Sequence, residues 1–163
     1  MSIEQFKKAI VCCAEEAPAH NNLGLSFSEA EMFDEALEAF HAAITREQAD
    51  VSKNNLSPEN LAFYHKNRGL AYYHQAELEE SKFDFDRAIE LVPNSAMTYF
   101  NRGNVLLDLG EFKSAHDDFD KAIELNNSNA KFYHGKGLTF QAQAEKLAQN
   151  KDFPFEEHVE LIN

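Results

Sequence analysis

YHKNRGLAYYHQAELEESKFDFDRAIELVP, residues 64–93, and TYFNRGNVLLDLGEFKSAHDDFDKAIELNN, residues 98–127, are two versions of one pattern. Working outward from them, Gly69, Gly103 and Gly137 stand 34 residues apart, and Gly24 precedes Gly69 by 45, one period plus an insertion of 11. Phe6, Phe40, Phe85, Phe119 and Phe153 keep the same intervals, as do Ala9, Ala43, Ala88 and Ala122, each followed by Ile. Three markers in one register define a structural repeat, the first thing to establish because it decides the architecture.

A helix pair of this length cannot cover its own apolar face, so neighbouring pairs must stack to make a continuous core. Small residues at Gly69 and Gly103 let one helix approach another. Ala88 and Ala122 do the same on the returning helix, and Phe85 and Phe119 fill the space between successive pairs. Ser57-Pro58-Glu59 reads as a helix start, with a capping hydroxyl, a proline in the first turn and an acid near the positive helix end. Residues 51–56, VSKNNL, read as a loop, and Asp152-Phe153-Pro154 as a break before a short last helix over 155–162.

The pattern resembles the tetratricopeptide repeat family. The residues that carry the resemblance are Leu23, Gly24, Phe27, Ala36, Phe40 and Ala43 in the first repeat. In the second they are Gly69, Tyr72, Ser81, Phe85, Ala88 and Pro93, and in the third Tyr99, Gly103, Leu106, Ala115, Phe119 and Ala122. A fourth repeat begins with Tyr133, Gly137 and Phe140 and then degrades. The resemblance implies an all-α, right-handed superhelical solenoid of antiparallel helix hairpins, with about three and a half to four and a half hairpins. Residues 1–16 form a half repeat or capping helix, 17–50 the first repeat, 51–61 an insertion, 62–95 the second, 96–129 the third, and 130–163 a degenerate fourth or C-terminal cap. His20 and His65, where later repeats carry Tyr99 and Tyr133, read as helix-packing histidines. The chain is expected to be a piece of solenoid, cut from a longer protein or capped by atypical ends.

Composition narrows the function. Hydrophobic residues make up 44% and charged residues 26% of 163, with 4 prolines and 6 glycines, the balance of a folded helical domain. The formal net charge of −13 opposes a phosphate-binding surface, so neither nucleic acid nor an anionic membrane is an expected partner. No apolar run long enough to span a membrane and no basic-flanked leader occurs, so the chain is expected to be soluble, intracellular and cytoplasmic. Cys12 and Cys13 are adjacent, which makes no disulfide framework, and they read as buried thiols.

The resemblance implies that the first helices of successive hairpins line a concave groove. Helical phase then selects the groove residues. They are Asn22 and Leu25 in the first repeat; Phe63, Lys66, Asn67, Leu70 and Tyr73 in the second; Met97, Phe100, Asn101, Asn104 and Leu107 in the third; and Lys131 and His134 in the fourth. Asn22, Asn67 and Asn101 are equivalent, and a ladder of carboxamides could clamp the backbone of an extended peptide. The apolar residues around it suit a binding surface.

A protein or peptide partner held in this groove is the leading expectation, with the chain acting as a scaffold or adaptor. A self-associating solenoid is the second, its groove filled by the segment 155–162 or by another copy. A third, the binding of acidic chaperone tails, is implied by a branch of the family that uses a clamp of Lys, Asn and Arg. Lys66, Asn101 and Lys131 match that clamp, whereas Leu70 and Gly135 do not, and the guanidinium fork that grips a carboxylate is missing. An accessory role in a larger enzyme is a fourth.

No phosphate loop, nucleophile elbow, HExxH or CxxC motif occurs, so no enzyme activity, cofactor or metal is expected. The run His116-Asp117-Asp118-Phe119-Asp120 reads as a solvated acidic face around a core phenylalanine rather than a metal loop, which needs glycine and alternating ligands.

Overall fold

In the computed structural model, residues 16–49 and 57–149 are described. Phe6, Ala9, Cys12, Cys13, Phe153 and the segments 51–56 and 155–162 lie outside the described residues. Seven helices and no strands are formed by those that are described: α1 (Ala17–Glu29), α2 (Phe33–Ala49), α3 (Pro58–His74), α4 (Leu78–Leu91), α5 (Ala96–Asp108), α6 (Phe112–Leu125) and α7 (Ala130–Gln149).

Local chemistry sets the limits. Ser57 Oγ accepts from the Asn60 amide at 3.2 Å, capping α3, and Pro58 occupies the first turn where no amide is needed. The three hairpin turns each pass through a left-handed residue, at Glu31 (φ 57°), Ala76 (φ 61°) and Gly110 (φ 75°). These turns keep the spacing of the repeat.

Consecutive helices pack as the pairs α1–α2, α3–α4 and α5–α6, and each second helix packs on the first helix of the next pair. The first helices α1, α3, α5 and α7 also touch in succession, whereas the second helices do not touch one another. The row is therefore closed on the side of the first helices and splayed on the other. Curvature of that sense puts α1, α3, α5 and α7 on an inner wall.

The core is a chain of phenylalanines seated on glycines. Phe40, Phe85 and Phe119 are fully buried. A β-carbon added to Gly24 would lie 2.5 Å from the Phe40 ring, and one added to Gly103 would lie 2.9 Å from Phe119. Ser81, fully buried where the other hairpins have Ala36 and Ala115, donates its hydroxyl to the Gly69 carbonyl at 2.8 Å.

The fourth repeat departs from expectation. Tyr133 and Phe140 are each 51% exposed and Gly137 has nothing near it, so the expected core stripe faces outward. Phe132, Gly135 and Thr139 are buried instead. Gly135 takes the packing role, its β-carbon position 2.6 Å from the Phe119 ring. The reason is that α7 runs straight through Ala144, the place equivalent to Ala76 and Gly110, so no returning helix among the described residues covers the outer stripe.

Candidate functional site

A cleft of about 320 Å³ lies between the C-terminal halves of α1 and α3, with residues of α2 also lining it. Leu25, Leu70, Phe33, Phe40 and Ala71 give it an apolar floor, and Ser28, Asn67, Glu29, Glu31 and His74 complete the lining. The repeat places Leu25 and Leu70 at equivalent positions of adjacent inner helices, which is why they meet. His74 stacks on Phe33, with ring centroids 5.2 Å apart and planes 11° apart, and Gln75 donates to Asp34 at 2.7 Å. The two contacts tie the end of α3 to the start of α2.

Of the residues selected from helical phase, Leu25, Asn67 and Leu70 are brought together here. Phe63 and Met97 are exposed, at 43% and 42%, as are Asn22, Lys131 and His134. Lys66 lies half-buried with its ammonium 4.5 Å from the centre of the Phe63 ring, and burial pulls its pKa below the ordinary lysine value. Tyr73 donates to Asp108 at 2.7 Å, bridging α3 and α5. Burial, together with that hydrogen bond, pushes its hydroxyl up to about 12.

Three expectations need correction. The carboxamide ladder is not presented evenly. Asn22 is exposed and Asn101 half-buried, but Asn67 is only 5% exposed and donates its amide to Asn21 Oδ1 at 2.9 Å. Asn67 sits between inner helices that touch, so its side chain closes an inter-hairpin contact. Secondly, Phe100 and Leu107 belong to packing: Phe100 lies 5.2 Å from Phe132 and 5.9 Å from Phe119, and Leu107 packs on the Leu106, Ala115 and Phe119 cluster. Phe100 fills the wall between α5 and α7, and Leu107 packs toward α6. Asn104 is half-buried beside them in sequence. Thirdly, Asp118 is not solvated.

Asp118 belongs to a polar framework that the sequence reading missed. Arg68 grips Asp84 through two bonds, at 2.7 and 2.8 Å, and Arg102 grips Asp118 through two at 2.7 Å, while the carboxylates are 0% and 5% exposed. Each cation also reaches the preceding hairpin. Arg68 meets His41 at 3.3 Å, Arg102 meets Asp86 at 2.6 Å, and Lys136 meets Asp120 at 2.6 Å. His65 Nδ1 adds a 2.8 Å contact to Asp84, so its ring is the satisfied packing histidine expected. The signal was available in the repeated Asn-Arg-Gly of 67–69 and 101–103 and the Asp-Phe-Asp of 84–86 and 118–120.

Tetratricopeptide repeat models match residues 62–95 and 96–129. The chain belongs to the tetratricopeptide repeat family. Solved tetratricopeptide structures share its fold. The crystal structure of MamA superposes with a TM-score of 0.74 at 20% identity, over 87% of this chain and 77% of that one. The first tetratricopeptide domain of Spaghetti (RPAP3) bound to the HSP90 peptide SRMEEVD gives 0.69 at 20%, over 79% and 94%. The second domain of human RPAP3 in complex with the HSP70 peptide SGPTIEEVD gives 0.65 at 22%, over 76% and 93%. No curated protein matches the chain in sequence. Among the described residues, no helix of this tetratricopeptide protein is long and apolar enough to cross a membrane.

Proposed function

We propose that this tetratricopeptide protein is a non-enzymatic interaction scaffold that holds an extended or helical segment of a partner protein against α1 and α3. The observation that carries the reading is the cleft itself, where two leucines from adjacent inner helices and Phe33 form an apolar floor open to a partner. Concave sites with an apolar floor and a few convergent polar groups are where segments bind. The similar domains solved with chaperone peptides support a protein or peptide partner as the class.

The acidic chaperone tail is the less favoured partner. The place of the basic clamp residue is Gly135, whose β-carbon position is already against Phe119, and Leu70 forms part of the apolar floor where an asparagine is required. Selection of peptides from a phage-displayed library of random dodecamers on the intact chain tests the groove. Leu70→Lys, which puts a positive charge in the floor of an open cleft, should weaken a selected peptide by at least about tenfold with the helical signal unchanged. Undiminished affinity in calorimetry would remove the cleft as the site.

A second reading, self-association, is favoured by the outward stripe Tyr133, Gly137 and Phe140 on α7. A second copy stacking there would continue the solenoid. Light scattering from micromolar to millimolar chain concentration tests it, and a mass independent of concentration would exclude it.

A further inference from the structure

We propose that the cleft between α1 and α3 is a pocket for a lysine or arginine side chain of the partner segment, an inference that rests on the groove reading above. Its floor is aliphatic and aromatic, from Leu25, Leu70 and Phe33, while its rim carries Glu29 and Glu31. Neither carboxylate has an ion-pair partner among the described residues. The cleft also lies where α1 and α3 end, and α1 has no basic residue in its last turn to offset the negative end of its dipole. An apolar floor beneath an anionic rim suits a side chain with a long hydrocarbon stem and a cationic head, which buries the first and leaves the second at the edge.

Asn67 adds an independent requirement. Its side chain is almost wholly buried and lines the cleft, and its amide is committed to Asn21. Among the described residues nothing donates to its carbonyl oxygen. A buried acceptor without a donor is costly, and a backbone N–H of the segment whose basic side chain lies along the floor can supply one. His74, the one basic-capable group in the lining, is held flat on Phe33 by stacking. An acidic side chain would meet two carboxylates and two helix C-termini on a chain of net charge −13, so the same features select against it.

The dodecamer selection on the intact chain reads this out directly. Selected sequences should be enriched in Lys or Arg beside Leu or Phe. A fluorescein-labelled selected peptide should lose at least about tenfold in affinity when its basic residue becomes norleucine, and about as much against Glu29→Gln/Glu31→Gln. Its affinity should also fall with salt for the parent chain and much less for that variant. Enrichment in Asp or Glu, equal binding of the norleucine peptide, or an unaffected double variant would overturn the pocket. If Leu70→Lys still abolishes binding in those cases, the groove reading survives alone. If no sequence is enriched, or if Leu70→Lys also has no effect, both fall.

Discussion

Asp84 and Asp118 stand at one position of successive hairpins, each held by two bonds from an arginine, yet their pKa values move in opposite directions. Burial pushes both up. For Asp84, the bonds from Arg68 and His65 outweigh burial and hold the carboxyl below the usual aspartate value. For Asp118, burial prevails over Arg102, helped by the like charges of Asp86 and Asp117. The difference is local: a second donor beside one carboxylate, further carboxylates beside the other. Asp84, with its folded value depressed, contributes stability above its unfolded value of about 3.9, and that stability is lost as pH falls through the lower folded value. Asp84→Asn should cost about 2 kcal/mol or more at pH 7, a deficit that closes below about pH 4. Asp118, with its folded value raised, loses stability on ionising as pH rises from the unfolded value through the folded one, and that penalty is fully present at pH 7, so Asp118→Asn should cost less there. Urea titrations at pH 7, 5 and 3 measure both; equal losses would refute the contrast.

At the scale of the helix, α7 shows how one glycine can displace another. Gly137 keeps the register of Gly24, Gly69 and Gly103, but Gly135 is the residue pressed on Phe119. In the other hairpins the packing glycine faces a returning helix that follows a left-handed turn. Gln141 to Gln149 offer good helix formers and no such turn, so α7 continues and its partner is the preceding helix α6. Gly135→Ala should lose about 1 kcal/mol or more, since its methyl meets a fully buried ring in a packed core. Gly137→Ala should gain up to about 1 kcal/mol from helix propensity alone. Thermal melts of the two variants give the sign; the reverse order would mean that the outer stripe is a core face after all.

Across the whole molecule, two systems hold the stack. Phenylalanines on glycines fill each hairpin, and the line Arg68, Arg102 and Lys136 joins each hairpin to the one before. The arginine pairs are largely sheltered, with side chains 13% and 22% exposed, so salt screens them less than it screens the surface. The net charge of −13 acts over that surface as self-repulsion. Raising sodium chloride from about 20 to about 500 mM at pH 7 should therefore raise the melting temperature, because screening relieves repulsion before it reaches the sheltered pairs. A fall would show that exposed pairs such as Lys136–Asp120 dominate instead.

The repeat period, the three hairpins and the Ser57 cap were readable from the residues, because helix pairs recurring every 34 positions bury their apolar faces only by stacking; that each phenylalanine seats on the glycine of its own hairpin, and not only between hairpins, was not. Leu25 and Leu70 were selected by helical phase on the first helices, which the family resemblance implied would line a groove. Equivalence in a repeat is nevertheless a statement about chain position, not about surroundings. Asn22 and Asn67 share a place and differ in exposure because inner helices touch at one and not, among the described residues, at the other. The acidic rim at Glu29 and Glu31 lies near a turn, where helical phase says nothing, and the closure of the wall by Phe100 and Phe132 followed from α7 sinking onto Phe119. Those outcomes were decided by which neighbour each side chain met in three dimensions, since burial and charge pairing depend on distance in space and a sequence period measures only distance along the chain.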